Sequence, residues 1–192
     1  LAQGNARHDG RGGHWLEEHM GVVLNNNNAP DLLGLEMKND TTSKTTFGDW
    51  SPDYFIFHDR ITREEFFQIF GHSNPDKDDR LSWSGTPVPA RNGEVSQFGV
   101  RFAIDAGNNI SFLYSYDSDT RPDKANIVPA ELQINDLLIA RWDADTLRQR
   151  VEDKFNQMGW FKCMKDDNGA YNSIVFGDPI NFETFMLRWR NW

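Results

Sequence analysis

Two carboxylates and one ammonium stand close together in Pro30-Asp31-Leu32-Leu33-Gly34-Leu35-Glu36-Met37-Lys38. Each type has work to do at a phosphodiester. Mg²⁺ is a hard cation that binds through one or two carboxylates while keeping several waters and substrate phosphate oxygens, so Asp31 and Glu36 suit it. An ammonium two residues after Glu36 falls on the same face of an extended strand, about 7 Å farther along. There it could touch an attacking water or the scissile phosphate. Cation and ammonium would together offset the negative charge that builds at phosphorus and orient or acidify the nucleophilic water. Glu17, on a short amphipathic stripe upstream, could reach the same metal. The spacing is loose, and a strand with a solvated polar face matches it equally well.

Those groups need a strand and a helix to hold them. Residues 14–20 carry apolar side chains at 15, 16 and 20 before Gly21, which predicts a short helix bearing Glu17. Gly10-Arg11-Gly12-Gly13 reads as a flexible loop able to approach a phosphate. From 32 to 38, apolar residues at 33, 35 and 37 alternate with Glu36 and Lys38, as in a strand. Thr62-Arg63-Glu64-Glu65 has the form of a capping box, followed by Phe66, Phe67, Ile69 and Phe70 and then Gly71, so 62–70 should be a core-packed helix. Residues 71–97, rich in Asp, Pro, Gly and Ser, read as a long irregular arm. Phe98, Val100, Phe102 and Ile104 alternate, Ala106–Asn109 turns, and Ile110, Phe112, Tyr114 and Tyr116 alternate again, which predicts a hairpin. Leu147, Val151 and Phe155 mark a helix over 144–157 capped by Asp143 or Asp145. A strand over 171–176 and a helix over 181–189 follow. Helices and strands mix without a βαβ rhythm, so the expected fold is α/β of the mixed α+β kind, a mixed central sheet flanked by helices.

Composition narrows the function. The chain has 192 residues, 38% hydrophobic and 13% aromatic, with 14 Phe and 7 Trp, which suits one ordinary domain or two tightly fused subdomains with a Phe-rich core. A net charge of -9 argues against a non-specific DNA coat, which needs a basic excess to displace counterions, but leaves room for a local basic cleft. No run approaches the roughly 20 apolar residues of a spanning helix, and the N-terminus lacks a signal-like apolar stretch. The lone Cys163 can form neither an internal disulfide nor a cysteine zinc site, which fits a cytoplasmic protein. The five histidines are too scattered to suggest zinc. No nucleophile triad, phosphate loop or dinucleotide fingerprint is present. Asp31 and Glu36 sit too close along one strand entry to straddle a sugar.

A series of blocks in fixed order adds a resemblance. Gly10-Arg11-Gly12-Gly13-His14-Trp15-Leu16-Glu17, then Asn26, Ala29-Pro30-Asp31, Gly34, Glu36 and Lys38 resemble the nuclease core of the MvaI/BcnI-type restriction endonucleases, related in fold to the MutH mismatch-repair nickase. Thr45-Thr46-Phe47-Gly48, Ser51-Pro52, Ser82-Trp83-Ser84-Gly85 and the helix after Trp142 continue the match over nearly the whole chain. The resemblance implies a PD-(D/E)xK core with Asp31, Glu36 and Lys38 in the catalytic positions and Glu17 as an additional helix-borne carboxylate. It further implies a Mg²⁺-dependent monomer that cuts double-stranded DNA at a short GC-rich site, paired with a cognate methyltransferase. The expected organisation is a single nuclease domain over 1–192, with its core in 10–70 and 98–160, a recognition arm in 71–97, and the C-terminal recognition part cut short.

Further DNA contacts are expected from Arg11 and His14 near phosphate, from the Thr45 and Thr46 hydroxyls, and from Arg80, Trp83 and Ser84 in the arm. Plainer readings stand beside these: a helix-surface His14, strand propensity at the threonines, and a core-anchoring Trp83. Arg141, Arg148, Arg150, Lys162 and Lys165 read as solvated faces. Two rival functions remain, a MutH-like repair nickase and a catalytically silent DNA-binding module.

Overall fold

The computed structural model describes residues 11–22, 28–40, 50–74, 79–89 and 91–191. It divides the chain into two compact units, one made of residues 1–50 and 147–185, the other of 51–146 and 186–192.

The first unit holds α1 (Arg11–His19), β1 (Leu35–Asn39), β8 (Gly159–Lys165), β9 (Tyr171–Gly177), most of α4 (Ala144–Phe155) and the start of α5 (Phe182–Asn191). Among the described residues its sheet runs β1-β8-β9, with β1 and β8 parallel and β8 and β9 antiparallel. A parallel pair needs a long crossover, and here the chain between the two strands includes residues 51–146 of the second unit. The pleat sends alternate side chains of β1 to opposite faces. Met37 joins Leu16 of α1 and Phe161 and Cys163 of β8 in a buried cluster, with Trp15, Leu35 and Tyr171 packed around it. Glu36 and Lys38 take the other face, where the Lys38 ammonium lies 5.3 Å over the Phe155 ring of α4. Trp50 packs on Phe155 and Phe185, and its indole N–H donates to Asn28, which in turn donates to the Arg150 carbonyl.

The second unit holds β2 (Tyr54–Phe55), α2 (Arg63–Phe70), β3 (His72–Asn74), β4 (Arg80–Ser82), β5 (Phe98–Ile104), β6 (Ile110–Asp119), α3 (Lys124–Ile127) and β7 (Leu137–Trp142). Among the described residues β2-β7-β6-β5 form an antiparallel sheet and β3 pairs with β4. The expected hairpin is β5 with β6, and Asp105 closes its turn by accepting from the N–H of Asn109. The expected capping box is present: Thr62 Oγ1 accepts from Glu65 N, and Thr62 N donates to Glu65. Phe66, Phe70, Val100, Phe102, Phe112, Tyr114 and Ile139 are buried, a Phe-rich core as the composition predicts.

Several expectations are corrected. Residues 11–13 are the first turn of α1 and not a loop. Leu33 is not on the strand's apolar face: β1 begins at Leu35, and Leu33 and Gly34 form a tight turn before it. The segment 71–97 is not wholly irregular, since it contains the β3–β4 pair. Of the two expected caps, Asp143 is the residue directly before α4, while Asp145 lies inside its first turn. The first helical N–H of α4, from Ala144, donates to Asn109, while Asp143 accepts from Arg141 Nε. Strands β7 and β8 are additions to the sequence reading.

Candidate active site

Glu36 is the centre of the site. Although charged, it is only 3% exposed, a position carboxylates rarely hold unless paired. Lys38 Nζ donates to its Oε1 at 2.8 Å, and Lys154 Nζ of α4 stands 3.3 Å from the same oxygen. The solvated-strand alternative is thereby excluded, because this face of β1 is covered. Burial pushes the Glu36 carboxyl up from its ordinary range, Lys38 offsets part of that by charge and hydrogen bond, Asp31 adds to it, and Lys154 lowers it. Asp31 sits at the entry to the turn, its Oδ2 accepting from Met37 N at 2.9 Å. Asp31, Glu36 and Lys38 are thus brought together as their spacing predicts.

The second oxygen, Glu36 Oε2, is buried and has no hydrogen-bond partner among the described residues. A desolvated carboxylate oxygen without a donor is costly. A hard divalent cation would satisfy it, and Asp31 is the neighbouring acidic oxygen donor, so the residues present fit such an ion. Among the described residues no three His, Cys, Asp or Glu side chains gather as a ready metal cage. Glu17 is therefore not drawn into one cluster with Asp31 and Glu36. It is partly buried on α1, next to Leu16 of the core.

Arg11 and His14 fall on α1, and Thr45 and Thr46 lie outside the described residues. In the second unit an open cleft of about 880 Å³ is lined by Phe55, Arg63, Phe66, Arg80, Trp83 and Ser84, among others. Arg80 and Ser84 are exposed on its rim. The Trp83 ring packs edge-on against Phe55, Phe66 and Phe112, and its buried indole N–H has no partner among the described residues.

Sequence reasoning missed Lys154. It follows Asp153 on a charged helix and resembles any solvated lysine. The one available signal is that it directly precedes Phe155, the last apolar residue of the Leu147-Val151-Phe155 stripe, and so lies at the edge of the buried face. Lys162, read as solvated, instead pairs with Asp40 at 2.8 Å.

The sequence pattern of the family described as LlaMI restriction endonuclease matches residues 2–191. The chain is 42% identical over 205 residues to the Type II restriction enzyme ScrFI of Lactococcus lactis subsp. cremoris, covering 95% of this chain and 75% of that one. Among solved structures, the restriction endonuclease MvaI in complex with its cognate DNA substrate matches with a TM-score of 0.65 at 14% identity, covering 97% of this chain and 72% of that one. At that identity the likeness shows a shared fold of the restriction-endonuclease kind.

Proposed function

Given that this chain belongs to the LlaMI restriction endonuclease family of Type II site-specific deoxyribonucleases, we propose that it hydrolyses double-stranded DNA at a short GC-rich site with Mg²⁺, through Asp31, Glu36 and Lys38. The observation that carries the site assignment is the buried Glu36 carboxylate, with one oxygen held by Lys38 and the other without a partner among the described residues. Asp31 and Glu36 would hold the cation, which supplies Lewis acidity toward the phosphate and the attacking water. Lys38 keeps Glu36 oriented and presents its ammonium where charge accumulates on the phosphate oxygens. Met37 N–H fixes Asp31 beside the turn, so the two carboxylates are placed by the backbone of one strand entry. Glu17, by the family resemblance, assists from α1 through a water.

DNA contacts are proposed for Arg11 and His14 on α1, for Thr45 and Thr46, and for Arg80 and Ser84 at the rim of the cleft, whose floor Trp83 builds. The family resemblance also supports a monomer and a methyltransferase that protects the same site. Among the described residues no helix is long and apolar enough to cross a membrane, and the free, buried Cys163 fits the cytoplasm.

The test is a Mg²⁺ titration on supercoiled plasmid, with the cut ends sequenced. Discrete, Mg²⁺-dependent double-strand ends at one short sequence support the reading. Nicks confined to one strand would favour a repair nickase, and binding without cleavage would favour a silent DNA-binding module.

A further inference from the structure

Between Asp31 and Glu36 the chain makes a two-residue turn whose residues are an unusual choice. Leu32 and Leu35 exchange backbone hydrogen bonds, N to O, at 3.0 and 2.8 Å. Both residues between them have positive φ, +51° at Leu33 and +81° at Gly34. That is the pattern of a type I′ turn, where asparagine, aspartate or glycine ordinarily takes the first central place. Gly34 suits its φ, and a Cβ there would stand 2.8 Å from Cγ of Met158 and displace that side chain. Leu33 has no comparable justification within the unit. A leucine in the left-handed region is strained, and at 87% exposure its side chain recovers little by burial. Beside it, Met158 donates its N–H to Gly34 O at 2.9 Å and is 66% exposed. Two large, exposed apolar side chains therefore flank one strained turn, which lies in the chain between Asp31 and Glu36.

We infer that Leu33, with Met158 beside it, is a substrate-contacting prong that presses on the deoxyribose and base edge next to the scissile phosphate. This inference rests on the nuclease reading of Asp31, Glu36 and Lys38. Asp31 lies two residues before Leu33 and Glu36 three after it, so a phosphate that reaches those carboxylates brings its own sugar and base to the turn. A polar tip would serve the phosphate, whereas an apolar tip serves the apolar parts of the nucleotide. Leucine and methionine are among the side chains that DNA-binding proteins press against or between bases. Strain kept at an exposed position beside a reactive centre is where function offsets its cost.

The test compares Leu33→Gly, Leu33→Met and Met158→Ala with the wild-type chain. Thermal midpoints, Ca²⁺-supported binding to a labelled duplex carrying the mapped cut site, and single-turnover cleavage in Mg²⁺ are measured. The backbone at 33 favours glycine, so Leu33→Gly should keep or raise the midpoint. Its duplex affinity or cleavage rate should nonetheless fall about tenfold, the effect of losing one leucine contact. Leu33→Met should stay near wild type, and Met158→Ala should fall in the same direction as Leu33→Gly. Leu33→Gly binding and cutting like wild type would overturn the prong while leaving the nuclease reading intact. A Leu33→Gly effect confined to self-association would also overturn it, by showing a second copy as the occupant. A folded wild-type chain that cuts no DNA would instead overturn the nuclease reading on which the prong rests.

Discussion

Lys38 and Lys154 close on the same oxygen of Glu36 from different elements, one from β1 at 2.8 Å and one from α4 at 3.3 Å. Two ammonium groups facing a single carboxylate oxygen oppose, without cancelling, the upward push that burial gives the Glu36 carboxyl. The arrangement also leaves the other oxygen, Oε2, without a donor among the described residues.

Lys154→Met removes one of the two cations that favour the charged form of Glu36. Burial already raises that carboxyl and Lys154 lowers it, so the substitution raises it further. Glu36 must be ionised to bind a cation, and activity is lost as pH falls through its value. The acid limb of a single-turnover cleavage profile should therefore move to higher pH, with little change on the alkaline side. An unmoved acid limb would show that Lys154 does not act on Glu36 in the working enzyme.

Asp119 is 2% exposed and takes a two-pronged contact from Arg121 together with the Tyr114 hydroxyl, while Arg121 also donates to the Ile69 carbonyl. Burial works against its charge, but the Arg121 hydrogen bonds outweigh it and hold the carboxyl below its ordinary range. The stabilisation this gives is present above the unfolded carboxyl's value and is lost as pH falls through the lower folded one. Asp119→Asn should cost about 3–5 kcal/mol near neutral pH by leaving the part-buried Arg121 without its counter-charge. Urea unfolding at neutral and acid pH should show the gap between the two proteins narrowing in acid.

Trp83→Ala should destabilise the protein by about 3 kcal/mol, because the ring packs on Phe55, Phe66 and Phe112. Chemical denaturation reads this directly. Unchanged stability with weakened DNA binding would instead make Trp83 a DNA contact.

Gly159 pairs with Leu35 across the parallel ladder and has φ +101°, and a Cβ on it would meet Gly177 O at 2.3 Å. Gly159→Ala should cost about 2 kcal/mol or more through backbone strain. Because β8 supports β1, cleavage should fall along with the melting temperature.

How legible each part was depended on whether its cause is local. The Thr62–Glu65 box and the 98–116 hairpin follow from short-range patterns, and both stand in the structure. The Asp31, Glu36 and Lys38 cluster was legible because all three sit on one strand entry, where spacing fixes geometry. Lys154 was hidden because only the pairing of β1 with a strand far along the chain brings α4 over Glu36. Leu33 was misplaced because the alternation at 33, 35 and 37 mimics a strand, while the Gly34 turn decides the backbone. Strand β8 was missed because its buried Phe161 and Cys163 alternate with a mixed face of Trp160, Lys162 and Met164, where two large apolar side chains beside a lysine blur the period-two pattern.

The most direct test of the site is Lys38→Ala, compared with wild type for cleavage in Mg²⁺ and for binding to the same duplex in Ca²⁺, with circular dichroism to confirm the fold. Removing an ammonium aimed at the developing charge should slow cleavage by about a hundredfold or more while the folded protein still binds DNA. Wild-type turnover by folded Lys38→Ala would contradict the placement of the active site at Asp31, Glu36 and Lys38.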